Sequence, residues 1–112
     1  METSKEFIDK AFEVIEIAKN SGKIKKGVNE VTKVMEKGLA KLVVIAKDVN
    51  PPEVTMHIDP LGKEKGIPVV TVPSKEELGN TAGLQRPTAA VAVIQESTAK
   101  DLIKEIIKGL NK

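Results

Sequence analysis

Apolar side chains recur at steps of three and four residues in two stretches of the first third of the chain. The first stretch, residues 7–18, predicts an amphipathic helix that ends at about Asn20. The second begins after Gly27 and predicts a shorter helix that stops at Gly38, a residue type well suited to the position just beyond a helix. Each helix has one apolar and one polar face, so each should pack against a core along one side only.

Three later runs are dense in β-branched and small apolar residues. These runs are residues 39–46, 67–72 and 89–95. They predict strands covered on both faces, as in a sheet that lies between two layers of helices. The starts of further helices are marked by proline or by capping side chains, at Pro51-Pro52, Asp59-Pro60, Ser74 and Thr98. This alternation predicts an α/β fold, a three-layer α/β/α sandwich around a small mixed sheet.

The length of 112 residues suits a single domain that spans residues 1–112. The chain has no cysteine, which excludes disulfides and thiolate metal sites and fits a reduced compartment. No apolar run reaches the roughly 18 residues of a membrane-spanning helix, and the first residues lack the apolar core of a signal peptide. We therefore expect a soluble, cytoplasmic protein without a membrane partner.

The charged residues are distributed unevenly along the chain. From Lys19 to Lys47 there are eight lysines and two glutamates, a local charge of +6. Because the whole chain carries +2, the remainder carries −4. A basic block on an otherwise acidic protein favours a polyanionic ligand, although a lysine-rich surface is also typical of heat-adapted proteins. The aromatic residues are two phenylalanines on the apolar side of the first helix, so base stacking on exposed rings is not indicated.

The sequence offers little for catalysis. The one histidine, His57, lies close to Val54 and Ile58 in a helical stretch, where a structural role is more common than a catalytic one. One histidine without any cysteine cannot supply a zinc site, and no glycine-rich phosphate-binding loop is present. Nothing distinguishes an acidic pair such as Asp59 and Glu64 from other surface acids. We therefore expect a protein that is not an enzyme and requires no cofactor and no metal.

The start of the second helix collects several hydrogen-bonding groups. Asn29 and Lys33 are four residues apart, and Glu30 and Lys33 are three apart, so the three side chains can share one exposed face. Two lysines and a glycine come immediately before it, Lys25, Lys26 and Gly27. The glycine N–H would lie at the positive end of the helix dipole, which suits an anion. The pattern fits either an ordinary helix start with solvated lysines or a site for an anionic ligand.

Residues 26–33 read Lys-Gly-Val-Asn-Glu-Val-Thr-Lys. This string resembles the signature of the archaeal large-subunit ribosomal proteins of the L7Ae family, and the resemblance continues over residues 25–95, most of the chain. It implies that the protein binds the kink-turn, a bent RNA helix with tandem sheared G·A pairs beside a short bulge. A kink-turn exposes base edges that the deep, narrow major groove of regular A-form RNA hides.

The family resemblance implies two sets of RNA contacts at the start of the second helix. The first set contacts guanine edges and comprises Asn29, Glu30 and Lys33. The chemistry agrees, because guanine O6 and N7 accept hydrogen bonds from an amide or an ammonium, whereas its N1 and N2 hydrogens donate to a carboxylate. The second set binds phosphate and sets the register, and it comprises Lys25, Lys26 and the N–H of Gly27.

The resemblance implies two more sets of contacts near the bulge of the RNA. A variable loop that packs on the bulge side contains Leu84, Gln85 and Arg86. The residues that flank an extruded bulge base are Asn50, Val54 and Lys75, with Val54 as an apolar wall. The chain departs from its relatives at the polar Gln85, which should loosen the hold on the bulge. It also departs at residues 59–62, where a less apolar segment should weaken a short helix.

We therefore interpret the chain as an RNA-binding ribosomal protein that recognises and stabilises kink-turns in ribosomal RNA. The resemblance extends this role to box C/D and H/ACA guide RNAs and to ribonuclease P RNA. The expected partners are structured RNA and other ribonucleoprotein subunits, and the free protein should be a monomer. The alternative from another class is a protein–protein adaptor on the same scaffold, with its lysine-rich face turned to an acidic partner. Such an adaptor would not distinguish kinked from straight RNA.

Overall fold

A computed structural model of the chain describes residues 5–21, 23–49, 53–95 and 103–104. Within these ranges the helices are α1 (Lys5–Ser21), α2 (Val28–Glu36), α3 (Glu53–Met56), α4 (Ile58–Lys65) and α5 (Lys75–Thr81). The strands are β1 (Lys23–Lys26), β2 (Leu42–Ala46), β3 (Val69–Val72) and β4 (Ala90–Gln95). The closing helix predicted from Thr98 lies mostly outside the described residues. Ile103 and Lys104, which are described, are helical, and Ile103 is buried.

The four described strands form one mixed sheet in the order β1-β4-β2-β3. β4 is antiparallel to both β1 and β2, whereas β2 and β3 are parallel. The sequence analysis predicted only the last three of these strands and assigned no strand to residues 23–26. It missed β1 because this is an edge strand in which only Ile24 is partly buried, so the strand lacks an apolar pattern.

Two layers of apolar side chains cover the two faces of the sheet, which confirms the predicted three-layer architecture. Leu42, Val44 and Ala46 of β2 face a cluster built mainly on α1 and α5. The alternate residues Val43 and Ile45 face a second cluster under α2 and α4. All five residues of β2 are buried, as the prediction of a strand covered on both faces requires.

β2 begins three residues later than predicted because the end of α2 uses the residues before it. Gly38 has a φ of 72° and follows the C-cap of α2. The N–H of Leu39 donates to the carbonyl of Val34 at 2.9 Å, which closes the helix in a Schellman arrangement. Leu39 therefore belongs to the helix end and lies exposed.

The segment of residues 59–62 does form a helix, and its glycine has a packing role. Gly62 is buried in α4, where a Cβ would lie 2.6 Å from Cγ2 of Val69 and 3.0 Å from the carbonyl oxygen of Ile67. The missing side chain allows α4 to approach β3 closely. No helix in the described part of the chain is long and apolar enough to cross a membrane.

The topology gathers several loops at one end of the strands of the sheet. β1, β2 and β3 run in the same direction, so their carboxyl ends meet the amino end of β4. Backbone hydrogen bonds join this edge: the N–H of Gly27 donates to Ala90, and the N–H of Ala46 donates to Ala89, each at 2.9 Å. We call this end of the sheet the recognition edge. It carries the segments that follow β1, β2 and β3 and the segment that precedes β4.

Candidate functional site

A single glycine connects β1 to α2 at the recognition edge. Gly27 has φ 96° and ψ 146°, a backbone conformation that is open essentially to glycine alone. A Cβ at this position would meet nothing within 4 Å, so the conformation rather than a lack of space requires glycine. With its N–H bonded to Ala90, Gly27 fixes the direction in which α2 leaves the sheet.

The same hydrogen bond corrects one expectation from the sequence. The Gly27 N–H was predicted to bind phosphate, but it already donates to the Ala90 carbonyl. The N–H groups of the first turn of α2 are better placed, because an α-helix provides them with no internal acceptor. No side chain at the N-cap accepts from them. The positive end of the helix dipole therefore lies at the recognition edge, with no capping side chain at the N-cap position.

The three side chains predicted to contact bases all lie on the exposed side of α2. Asn29, Glu30 and Lys33 are exposed, whereas the opposite face of the helix is buried through Val31, Val34 and Met35. The Lys33 Nζ lies 3.9 Å from the Glu30 Oε1, and their side chains are 67% and 51% exposed. An ion pair this open to solvent contributes only a few tenths of a kcal/mol, so both groups remain available to a ligand.

A groove separates the tip of α2 from α3. It encloses about 690 Å³, and it is lined by Lys26, Gly27, Val28, Asn29, Glu30, Glu53, Val54 and His57. Val54 is 37% exposed, so its apolar side chain is accessible to a ligand in this groove. This α2–α3 groove thus combines amide, carboxylate and ammonium groups with the apolar side chain of Val54.

His57, at the turn between α3 and α4, forms a side-chain contact with α2. The sequence interpretation placed it within a helix, but it is an exposed residue at the turn between α3 and α4. Its Nε2 lies 2.8 Å from the Oγ1 of Thr32, whose hydroxyl donates to the carbonyl of Val28 at 2.7 Å. Since that hydroxyl has a single hydrogen, the Nε2 of His57 must carry a hydrogen and donate to Thr32. Nothing in the sequence indicates this partner, which is 25 residues away.

The loop of residues 84–87 lies on the other side of the α2 tip. A second hollow of about 530 Å³ is lined by Lys26, Gly27, Leu84, Arg86, Pro87, Thr88 and Ala89. Lys26 and Gly27 line both hollows, so the α2–α3 groove and this loop form one continuous surface. Gln85 instead lines a smaller hollow beside α5, together with Glu76 and Asn80.

Gly79 determines where that loop lies, and the sequence analysis assigned it no role. A Cβ on Gly79 would overlap the backbone carbonyl of Arg86. The N–H of Leu84 donates to the carbonyl of Gly79 at 2.9 Å, which holds the loop against α5. Glycine inside a helix lowers the stability of the helix by about 1 kcal/mol relative to alanine. A glycine at such a position in the sequence therefore indicates a packing role, which could have identified Gly79.

The remaining predicted residues lie further from the groove. Lys75 begins α5 at the same edge, where its N–H donates to the Oδ1 of Asp48 at 2.9 Å. Its side chain lines neither hollow beside the α2 tip. Lys25 lines a different hollow, which is formed by residues of β1, the end of α1 and β4. Asn50 lies outside the described residues.

Comparison with known proteins agrees with the resemblance seen in the sequence. Residues 9–103 match the model of the ribosomal protein L7Ae/L30e/S12e/Gadd45 family. The structure is similar to that of the Giardia lamblia 15.5kD RNA binding protein, with a TM-score of 0.91 and 26% sequence identity. That match covers 98% of this chain and 92% of the Giardia chain. Both halves of the site, the α2 tip and residues 84–87, lie within the matched region.

Proposed function

Since the chain belongs to the ribosomal protein L7Ae/L30e/S12e/Gadd45 family, we propose that it is an RNA-binding component of ribonucleoproteins that recognises kink-turns. One observation carries the proposal: the side chains of Asn29 and Glu30 lie exposed beside Lys26 in a groove at the recognition edge. The likeness to a Giardia protein that is named for RNA binding supports it. The RNAs would be ribosomal RNA and, in related complexes, box C/D, H/ACA and ribonuclease P RNAs.

The side chains at the tip of α2 match the edges of guanine in sheared G·A pairs. The Lys33 ammonium and the Asn29 amide donate to O6 and N7, and the Glu30 carboxylate accepts from N1 and N2. A carboxylate among lysines repels phosphate, so Glu30 is favourable only where it meets a base donor. Glu30 therefore provides selectivity, and it rejects a regular duplex whose base edges are covered.

The groups around the α2 tip would hold the RNA backbone and the bulge. Lys26 stands between the two hollows, where its ammonium can neutralise a phosphate and fix the register of the helix on the RNA. Arg86 presents a second cation on the loop side. Val54 and Leu84 are partly or largely exposed apolar side chains that can contact an unstacked base. The protein would stabilise the bent RNA and perform no bond chemistry.

A gel-shift series with three RNAs tests this function. The RNAs are a kink-turn, the same RNA with its G·A pairs changed to G·C, and a straight duplex of equal length. We expect the kink-turn to bind at least about fivefold more tightly than the other two, because one good bidentate base contact contributes about 1–3 kcal/mol of discrimination. Each RNA is measured at two salt concentrations, because the phosphate contribution weakens with salt. Equal affinity for all three RNAs would contradict the proposal and favour an adaptor with a basic face.

A further inference from the structure

A second basic surface adjoins the recognition edge along β1. It is a hollow of about 520 Å³ lined by Lys19, Lys23, Ile24, Lys25, Lys26 and Ile94. We propose that this lysine hollow binds the phosphate backbone of one RNA stem beyond the kink, in a contact separate from base recognition. The inference rests on the proposed function and deepens it, because it names Lys19 and Lys23 as additional RNA-binding residues.

The position of the hollow follows from the sheet order. β1 is an edge strand of the described sheet, and three of its four residues are exposed. Lys19 comes from the last turn of α1, and the other three lysines come from β1. Ile24 and Ile94 are partly buried, one against each of the two core clusters, and the lysine stems can lie over these apolar side chains while their ammonium groups stay in solvent.

The charge of the hollow is of one sign. Four of its six lining residues are lysines, and no carboxylate lines it among the described residues. None of these four lysines forms an ion pair with another described residue. Ammonium groups gathered in this way repel one another when the hollow is empty, and a polyanion removes that repulsion and releases its own counterions.

The hollow is continuous with the proposed base-recognition site. Lys26 lines the lysine hollow, the α2–α3 groove and the hollow beside residues 84–87. A strand rises by about 3.3 Å per residue, so Lys23 lies roughly 10 Å along β1 from Lys26. A backbone that is seated at Lys26 can therefore continue along β1 and contact Lys23 and then Lys19.

The chemistry favours nucleic acid over a protein partner. Protein interfaces usually contain large apolar or aromatic side chains at their centre and few lysines. The exposed large apolar side chains in the described ranges are Leu39, Val54 and Met56, and none of them lines the hollow. A surface of lysines without such side chains suits a ligand whose affinity comes from regularly spaced phosphates.

The test compares the double variant Lys19→Gln, Lys23→Gln with a control, Lys63→Gln, Lys65→Gln. The control removes the same charge from exposed positions on α4. Glutamine keeps most of the stem length, which matters because the Lys19 side chain packs beside Gly83. Thermal melts of both variants are compared with the wild type to show that the fold is kept.

We expect the Lys19 and Lys23 variant to bind a long-stemmed kink-turn about three- to tenfold more weakly at low salt. The slope of log K against log salt should fall by about 1.5, since each phosphate contact contributes about 0.7–0.9. The preference for the kink-turn over its G·C version should not change, and the control should bind within twofold of the wild type. Shortening the stem that reaches the hollow should abolish the difference between variant and wild type.

The outcomes are separable from those of the proposed function. If the wild type prefers the kink-turn but the variant keeps the wild-type affinity and salt slope, the lysine hollow is not an RNA contact and only this inference fails. If the wild type shows no preference for the kink-turn, the proposed function fails, whereas a reduced slope in the variant would still support a phosphate surface. Unchanged RNA binding together with lost binding to poly-glutamate would assign the hollow to an acidic protein and overturn the inference.

Discussion

The two halves of the recognition edge are held in place by different means. The tip of α2 follows β1 after one glycine, and the Gly27 N–H ties it directly to β4. Residues 84–87 contain no helix or strand and lie where they do because Gly79 leaves room for the Arg86 backbone. In the first half, the glycine that sets the direction of α2 lies in the same short stretch of sequence as the helix, and the acceptor of its N–H lies on β4. The geometry of the second half depends on a contact between separate segments.

The largest effect should come from disturbing the loop half. In Gly79→Ala the new methyl group overlaps a backbone carbonyl, which cannot turn away as a flexible side chain could. We expect the free energy of unfolding to fall by about 3 kcal/mol, at the upper end of the range for overpacking. Urea denaturation measures this loss, and gel shifts should show weaker binding of the kink-turn with its preference over the G·C version retained.

Asn80→Ala is the matched control for that variant, because Asn80 is an exposed neighbour on the same helix. Its unfolding free energy should change by no more than about 0.5 kcal/mol. If Gly79→Ala kept both the stability and the RNA affinity of the wild type, the account of how the loop is positioned would be wrong.

The next effect concerns the backbone of the α2 half. Gly27→Ala forces a Cβ onto a conformation with φ 96° and ψ 146°, and such strain costs about 1–3 kcal/mol. Gly66→Ala is a useful comparison, because Gly66 also has a positive φ and space for a Cβ, at the end of α4. Both variants should lose stability in urea. Only Gly27→Ala should also lose affinity for the kink-turn. Equal losses of affinity in the two variants would show that Gly27 does not specifically position the site.

A side-chain change on α2 should alter binding without altering stability. Glu30→Ala removes the acceptor proposed for the guanine N1 and N2 hydrogens, so the kink-turn preference should fall by about 1–3 kcal/mol, or roughly fivefold to 150-fold. Glu36→Ala removes an exposed carboxylate from the last turn of the same helix and should leave the preference intact. An unchanged ratio of kink-turn to duplex affinity in Glu30→Ala would show that Glu30 does not contribute to recognition of the G·A pairs.

The smallest effect should come from the link between α2 and His57. We expect a coupling free energy of about 1 kcal/mol between Thr32→Val and His57→Ala in a double-mutant cycle on unfolding, as for an ordinary hydrogen bond. The single variants should change kink-turn affinity only slightly, since the bond positions the groove wall rather than the bases. Strictly additive losses would show that the two side chains do not act together.

The sequence predicts the features of this protein that depend on neighbours along the chain. The apolar face of α2, its exposed polar tip and the glycine that ends it all follow from spacing within one helix. The two-sided burial of β2 follows in the same way from an uninterrupted apolar run. The comparison with the L7Ae family confirms the family resemblance, because the matched region spans both the helix tip and the loop.

What the sequence does not predict depends on contacts between distant segments. β1 has three exposed lysines among its four residues and becomes a strand only because β4 pairs with it. The hydrogen bond from His57 to Thr32 and the contact between Gly79 and Arg86 likewise join different elements. The Gly27 N–H was misassigned for the same reason, since its acceptor is the carbonyl of Ala90 on β4, the last of the described strands along the chain.

The hydrogen bond from Gly27 to Ala90 has a practical consequence. It joins the residue just before α2 to the first residue of the strand that follows the loop, so it lies between the two halves. Its amide proton exchanges with deuterium only when that junction opens. The resonance of this one proton therefore monitors the junction between α2 and the loop in solution, and a ligand that holds helix and loop together would lengthen its lifetime.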